Sequence, residues 1–178
     1  MKNINQEELS KVLKEHELWL KGKGGKRADL ENTNLKDANL ELVNLRGSNL
    51  SYANLKGSYL EGVKTNINTI GYNLACPEKG SFIGYKKAGK YIVKLLIPED
   101  AKRSSATTAK CRCSKAKILD IENIETGELT DKVHSDFNPK FIYKVGEIVY
   151  VDNFDDNRWN ECAPGIHFFM NKENAINY

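Results

Sequence analysis

Leucine recurs at every fifth position from Leu30 to Leu60, and no regular element accepts that period. On an α-helix, at about 100° per residue, successive leucines step by roughly 140° and scatter around the cylinder. On a strand, an odd period throws alternate leucines onto opposite faces. A chain that turns a corner once in five residues buries them together. Each leucine then shares the inner side with the residue two places before it, and those residues are small or β-branched: Ala28, Thr33, Ala38, Val43, Ser48, Ala53 and Ser58. The corner position holds Asn32, Asp37, Gly47, Gly57 and Gly62, all common turn formers. The spacing predicts a square-sided stack with a leucine ladder inside. Asn34, Asn39, Asn44, Asn49 and Asn54 then face outward.

The units ADLEN, TNLKD, ANLEL, VNLRG, SNLSY, ANLKG and SYLEG, from Ala28 to Gly62, closely resemble the pentapeptide-repeat family, whose motif is A(D/N)LXX. The resemblance implies a right-handed quadrilateral β-helix with four repeats to a coil. Seven repeats make fewer than two coils, and so short a stack depends on capped ends. The preceding segment reads as a cap. Leu9, Val12, Leu13, His16, Trp19 and Leu20 follow the spacing of an amphipathic helix. Asn5 is its N-cap, Glu8 completes a capping box, and Ile4 can staple onto Leu9. Gly22 ends the helix amid the basic turn of Lys21, Lys23, Lys26 and Arg27. The apolar stripe is expected to cover the first coil, with His16 packed beneath it.

After Gly62 the register fails at Thr65, and residues 66–73 read as a ragged last coil or a linker. Beyond Leu74, β-branched and aromatic residues alternate with turn signals. Strands are expected at Phe82–Lys87, Tyr91–Ile97, Lys115–Glu122, Phe141–Tyr143, Ile148–Val151 and Ile166–Met170, with a short helix at Glu173–Tyr178. The fold expected is thus mainly β. A capping helix and basic turn occupy 1–27, the repeats 28–73, and a small β-rich α+β domain 74–178. The pieces CPEKGSFIGYKK, IPEDAKRSSATTAKCRCSKA and RWNECAPGIHFF resemble a domain of unknown function. That domain accompanies pentapeptide repeats in small proteins of bacteriophages and prophages of Gram-positive bacteria. The resemblance implies a fold and a phage context, and no activity.

Composition narrows the functional classes. The 178 residues carry 27 Lys and Arg against 24 Asp and Glu, which fits neither a polyelectrolyte nor a basic nucleic-acid coat. No apolar run approaches the roughly 18–20 residues of a membrane span. Met1–Ser10 is too polar for a signal peptide. The expectation is a cytoplasmic protein without a membrane partner, its cysteines reduced or metal-bound rather than paired.

Three constellations can carry chemistry. Cys111 and Cys113, spaced C-x-C, with Cys76 and Cys162 from afar, form a candidate tetrahedral zinc set. Buried, inert thiols are the alternative. The loop from Ala101 to Lys117 holds Lys102, Arg103, Lys110, Arg112, Lys115 and Lys117, interleaved with Ser104, Ser105, Thr107 and Thr108 and with no acid. Cations and hydroxyls in that mixture suit phosphate oxygens, which makes it a candidate nucleotide or nucleic-acid site. A solvated basic edge strand is the alternative. The third is GIHFF, Gly165 to Phe169, followed by Ala175 and Tyr178. It is loosely similar to the NAD-pocket stretch of ADP-ribosyltransferase-like domains, which implies His167 as the catalytic candidate of a minimal enzyme. No Ser-His-Asp order, phosphate-binding glycine loop or H-E-x-x-H stands beside it.

The leading expectation is a phage-type, non-enzymatic interaction protein that binds a host or phage macromolecule, such as a bacterial immune or nucleic-acid-processing factor. Some pentapeptide-repeat proteins resemble DNA in shape and charge and bind DNA topoisomerases. Here five acids against three bases between Ala28 and Gly62 mimic little duplex. Nucleotide or nucleic-acid binding through 102–117, and the enzyme built on His167, are the alternatives. No cofactor other than zinc is expected.

Overall fold

The computed structural model of the protein describes residues 1–178, which fall into two units: 1–74 with 106–108, and 75–105 with 109–178. The chain is mainly β, with two helices. Neither helix is long and apolar enough to cross a membrane.

In the first unit the corner residue of all seven repeats, Asn32, Asp37, Leu42, Gly47, Tyr52, Gly57 and Gly62, has a φ between +52° and +74°. The residue before each corner keeps a negative φ, and the residue after it bonds back to the leucine carbonyl, as Ala38 N does to Leu35 O at 3.1 Å. These are type II turns, which require a left-handed third residue. Leu30, Leu35, Leu40, Leu45, Leu50 and Leu55 are buried between them. Burying each leucine contributes about 1.5–3 kcal/mol. Hydroxyls admitted to the interior bond to the carbonyls around them: Ser48 Oγ donates to Leu45 O at 2.8 Å, and Thr69 Oγ1 donates to the same oxygen at 3.0 Å.

Parallel bridges join residues twenty apart: Asp29 to Asn49, Asn34 to Asn54, Asn39 to Tyr59 and Asn44 to Lys64. The outward asparagines do more than face solvent. Oδ1 of Asn34, Asn39, Asn44, Asn49 and Asn54 each accepts the N–H two residues on, at 3.0–3.3 Å. Asn54 Nδ2 also donates to Asn34 Oδ1 at 3.2 Å. The pairing does not stop at Gly62. Asn49 pairs with Ile70, twenty-one residues on, so one residue is inserted after Lys64 and the stretch expected to be ragged continues the stack.

The helix α1 spans Gln6–Leu20, with the Asn5–Glu8 capping box formed at 2.9 and 3.0 Å. Its stripe is buried less deeply than expected: Leu9 and His16 are buried, while Trp19 is 41% exposed. His16 Nδ1 accepts the Ala28 N–H at 3.1 Å. The residues before the helix contribute as well, since β1 (Lys2–Asn3) pairs in parallel with β2 (Thr33–Asn34).

The second unit is a seven-stranded antiparallel sheet with a helix on one face. Its strands are β3 (Phe82–Ala88), β4 (Tyr91–Ile97), β5 (Arg103–Ser105), β6 (Lys110–Cys113), β7 (Lys115–Asn123), β10 (Ile148–Tyr150) and β11 (Ile166–Phe169), in the order β10-β7-β4-β3-β11-β6-β5. A separate pair joins β8 (Lys132–His134) to β9 (Ile142–Lys144). The helix α2 spans Lys172–Ile176. Val93, Leu95, Cys111, Cys113, Ile118 and Phe168 form the main core on one face, and Ile92, Phe169 and Ala175 the smaller one on the other. The strands β5, β6 and β8 were not foreseen. They are short and polar, and the stretch expected as one basic loop, 101–117, is largely β5, β6 and the start of β7.

Leu42 and Tyr52 are the large side chains at corners, 76% and 57% exposed. A left-handed φ costs a branched or bulky residue about 1–2 kcal/mol. Leu42→Asn should therefore stabilise the chain by about 0.5–1 kcal/mol. Gly71→Ala should cost about 2 kcal/mol or more, because the added Cβ would lie 2.6 Å from Ser51 N and 2.7 Å from Ser51 Cα. Chemical denaturation of the whole chain measures both. A Leu42→Asn variant less stable than the parent would show that packing of Leu42 outweighs the corner strain.

Candidate functional site

The strand β11 pairs with β6 along its whole length but touches β3 through one pair, Phe169 with Tyr85. Past that pair the two strands separate, while β3 stays with β4 as far as Ala88. The opening is a cleft of about 760 Å³, lined by Lys86, Lys110, Tyr143, Gly165, His167 and Tyr178 among others. A neighbouring cavity of about 320 Å³ shares Lys86, Phe137, His167 and Tyr178 with it.

Lys86 follows from the alternation of β3, in which Phe82, Gly84, Lys86 and Ala88 point to one side. Gly84 leaves room there for Phe168, whose ring would lie 2.6 Å from an added Cβ. Lys86 is only 9% exposed, yet its ammonium makes no hydrogen bond or ion pair. Its contact is the face of Tyr143, 5.9 Å to the ring centroid. Burial lowers its pKa, and the charge of Asp136 works in the other direction. Lys110 donates to Tyr178 Oη at 3.1 Å and to Cys162 Sγ at 3.6 Å, and lies 3.7 Å from Glu161 Oε2. Burial works against its charge, but these partners outweigh it and hold the pKa above the usual lysine value.

His167 occupies the junction. Burial first, then the charges of Lys110, Lys86 and Arg112, push its pKa down to about 4, so the ring is neutral near pH 7. A hydrogen bond to the Ala163 backbone opposes the shift. Nε2 is buried and has no partner.

Of the six cations expected to form a phosphate-binding loop, only Lys110 reaches this cleft. Arg103 donates to the carbonyls of Pro77, Gly80, Pro98 and Glu99 at 2.8–3.2 Å. Arg112, fully buried, donates to those of Asp155, Pro164 and Asn157 at 2.9–3.0 Å. Lys102 pairs with Asp156 at 2.8 Å, and Lys115 pairs with Asp100. Lys117 is exposed on β7. Ser105 Oγ accepts the Ala75 N–H, and Thr107 Oγ1 donates to Ala53 O within the first unit. The six cations do not make one continuous patch: carbonyls and carboxylates take four of them, Lys110 faces the cleft, and Lys117 stands exposed.

The four-thiol zinc set does not form either. Cys111 and Cys113 face the core on one side of β6, whereas Cys162 contacts Lys110, which points to the other side. Cys76 and Cys111 share a hydrogen bond that holds Cys76 below and pushes Cys111 above the usual thiol range. Burial pushes Cys113 up to about 12. No three His, Cys, Asp or Glu side chains converge to hold a metal ion.

The profile of a family of unknown function, DUF5758, matches residues 72–175, well over half of the chain. The chain belongs to this family. Pentapeptide repeats match residues 26–62 in eight copies, one more than the leucine positions count. A crystal structure of a pentapeptide repeat protein (Rfr23) from the cyanobacterium Cyanothece 51142 is 50% identical over 25% of this chain and 30% of its own, with a TM-score of 0.24. The chain thus spans under a third of that protein's length. No curated protein matches the chain. The cleft belongs to the DUF5758 domain, with Tyr178 lying just past the matched residues.

Sequence reasoning missed Lys86, although a signal was present: a lysine at an inward register of an apolar strand. It found His167 and Lys110 but not that they meet. Because His167 is neutral in the fold while an unperturbed imidazole titrates near 6.5, the unfolded chain binds the extra proton between pH 6.5 and 4. Stability should fall as the pH drops through that window and be recovered above it. Thermal unfolding of the parent and of His167→Gln, compared from pH 7.5 to 4, measures this. Parallel curves would rule out His167 as the origin.

Proposed function

We propose that this protein is a phage-type, non-enzymatic binding protein of the host cytoplasm whose DUF5758 domain captures an anionic ligand in the cleft between β3 and β11. Lys86 carries the reading. Its side chain is largely buried, and the ammonium at the cleft has no hydrogen bond or ion pair to offset the lost hydration. An anion bound at Lys86, in a cleft whose lining also carries Lys110, supplies the missing partner by a charge-assisted hydrogen bond. The volume is that of a small-molecule site. His167 has no nucleophile or orienting carboxylate bonded to it, which favours binding over catalysis. In this reading the anion site is the cleft, to which the 102–117 stretch contributes Lys110 alone, and zinc has no part in it.

In the same proposal the repeats wind as a short right-handed quadrilateral β-helix, supported by parallel bridges every twenty residues. Leu42 and Tyr52 favour a second role, a protein partner of host or phage origin for that segment. They are bulky and exposed at corners where strain disfavours them, and strain of that kind is retained where it serves a surface.

Thermal unfolding of the full chain tests the ligand reading. Lys86→Gln should raise the melting temperature in anion-free buffer. Millimolar inorganic phosphate should raise that of the parent and leave the variant unmoved. Equal phosphate responses in parent and variant would sink the reading. For the second role, Leu42→Asn combined with Tyr52→Asn should lose a partner that the parent retains in a host-lysate pull-down, while folding at least as stably.

A further inference from the structure

We infer that the ligand of the DUF5758 cleft is a nucleoside monophosphate, held by its phosphate at Lys86, by a hydroxyl or amino group at His167 Nε2, and by its base against the aromatic rim, with Lys110 contributing charge along the same lining. This rests on the anion-binding reading above and narrows it to one ligand class. The cleft asks for three different chemistries. The two lysines ask for an anion. The buried Nε2 of His167 lacks a partner, and a sugar hydroxyl or a base amino group supplies one.

The third demand is apolar and planar. Phe137 is 83% exposed and Tyr150 is well exposed, yet both line the larger cavity. Open aromatic faces at the mouth of a pocket suit a stacked base. The two cavities, about 760 and 320 Å³, share Lys86, Phe137, His167 and Tyr178, so cation, acceptor and ring border both. A ligand with a charged group and a ring joined by a short polar linker matches that order. Charge limits the phosphate number. Asp152 lines the larger cavity, Asp136 acts on Lys86, and Glu161 already lies 3.7 Å from Lys110. Asp136 is itself engaged, accepting the Gly89 N–H at 3.0 Å. Two lysines against these acids suit one phosphate rather than a polyphosphate chain.

Titration calorimetry of the full chain with the four 5′-ribonucleoside monophosphates, inorganic phosphate and the four free nucleosides tests the assignment. At least one monophosphate should bind about tenfold or more tightly than inorganic phosphate and than its own nucleoside. Phe137→Ala with Tyr150→Ala, both exposed rim residues, should remove that advantage and leave phosphate binding unchanged. Lys86→Gln should weaken monophosphate and phosphate alike. Inorganic phosphate binding as tightly as every monophosphate would overturn the nucleotide assignment while leaving the anion site standing. A nucleoside binding as tightly as its monophosphate would overturn the anion reading itself. Absence of binding by all of these probes, with no phosphate effect on the melting temperature, would overturn both.

Discussion

Backbone N–H and C=O groups outside a regular ladder need partners, and in this protein side chains supply them. In the first unit backbone bonds between coils, such as Leu35 N to Asn54 O and Asp37 N to Lys56 O, leave the amide just before each corner without a backbone partner. The asparagines answer this, each closing a local turn through Oδ1, and Asn54 reaches Asn34 as well. The second unit meets the same demand with arginine. Arg112 gathers three carbonyls of the 155–164 segment, and Arg103 gathers five from the stretches around Pro77 and Pro98. A planar fork of five donors is suited to this, and a lysine could not replace it.

The cleft depends on that arrangement. Its wall at Ala163, Pro164 and Gly165 belongs to the segment that Arg112 ties down, and its floor opens because β11 follows β6 instead of β3. Two cations therefore play opposite parts. Arg112 is buried and fully occupied, and its role is structural. Lys86 is nearly as buried and unoccupied, which marks a place where a ligand can contribute what the fold does not.

Legibility varied with the range of the interaction concerned. The capping box at Asn5 and Glu8, the leucine interior and the strands β3, β4, β7, β9, β10 and β11 could be read because each is encoded within a few neighbouring residues. The continuation of the stack past Thr65 was missed because one inserted residue breaks the spacing while Thr69 still fills the interior and bonds to Leu45. The basic stretch misled for a different reason. Charge density along the chain says nothing about which carbonyls and carboxylates will lie opposite, and in the fold Asp100, Asp156 and eight backbone oxygens do.

The amino-acid sequence alone determined the period, the corner positions and the identity of the buried leucines, because a five-residue repeat with a turn former in each unit has one arrangement that hides its apolar side. Only the tertiary structure decided which polar groups are free. Whether Lys86, His167, Arg112 or Cys111 is available to a ligand depends on strands brought together from distant parts of the chain. Availability is what remains after every nearby partner has been taken, and the list of partners exists only in three dimensions.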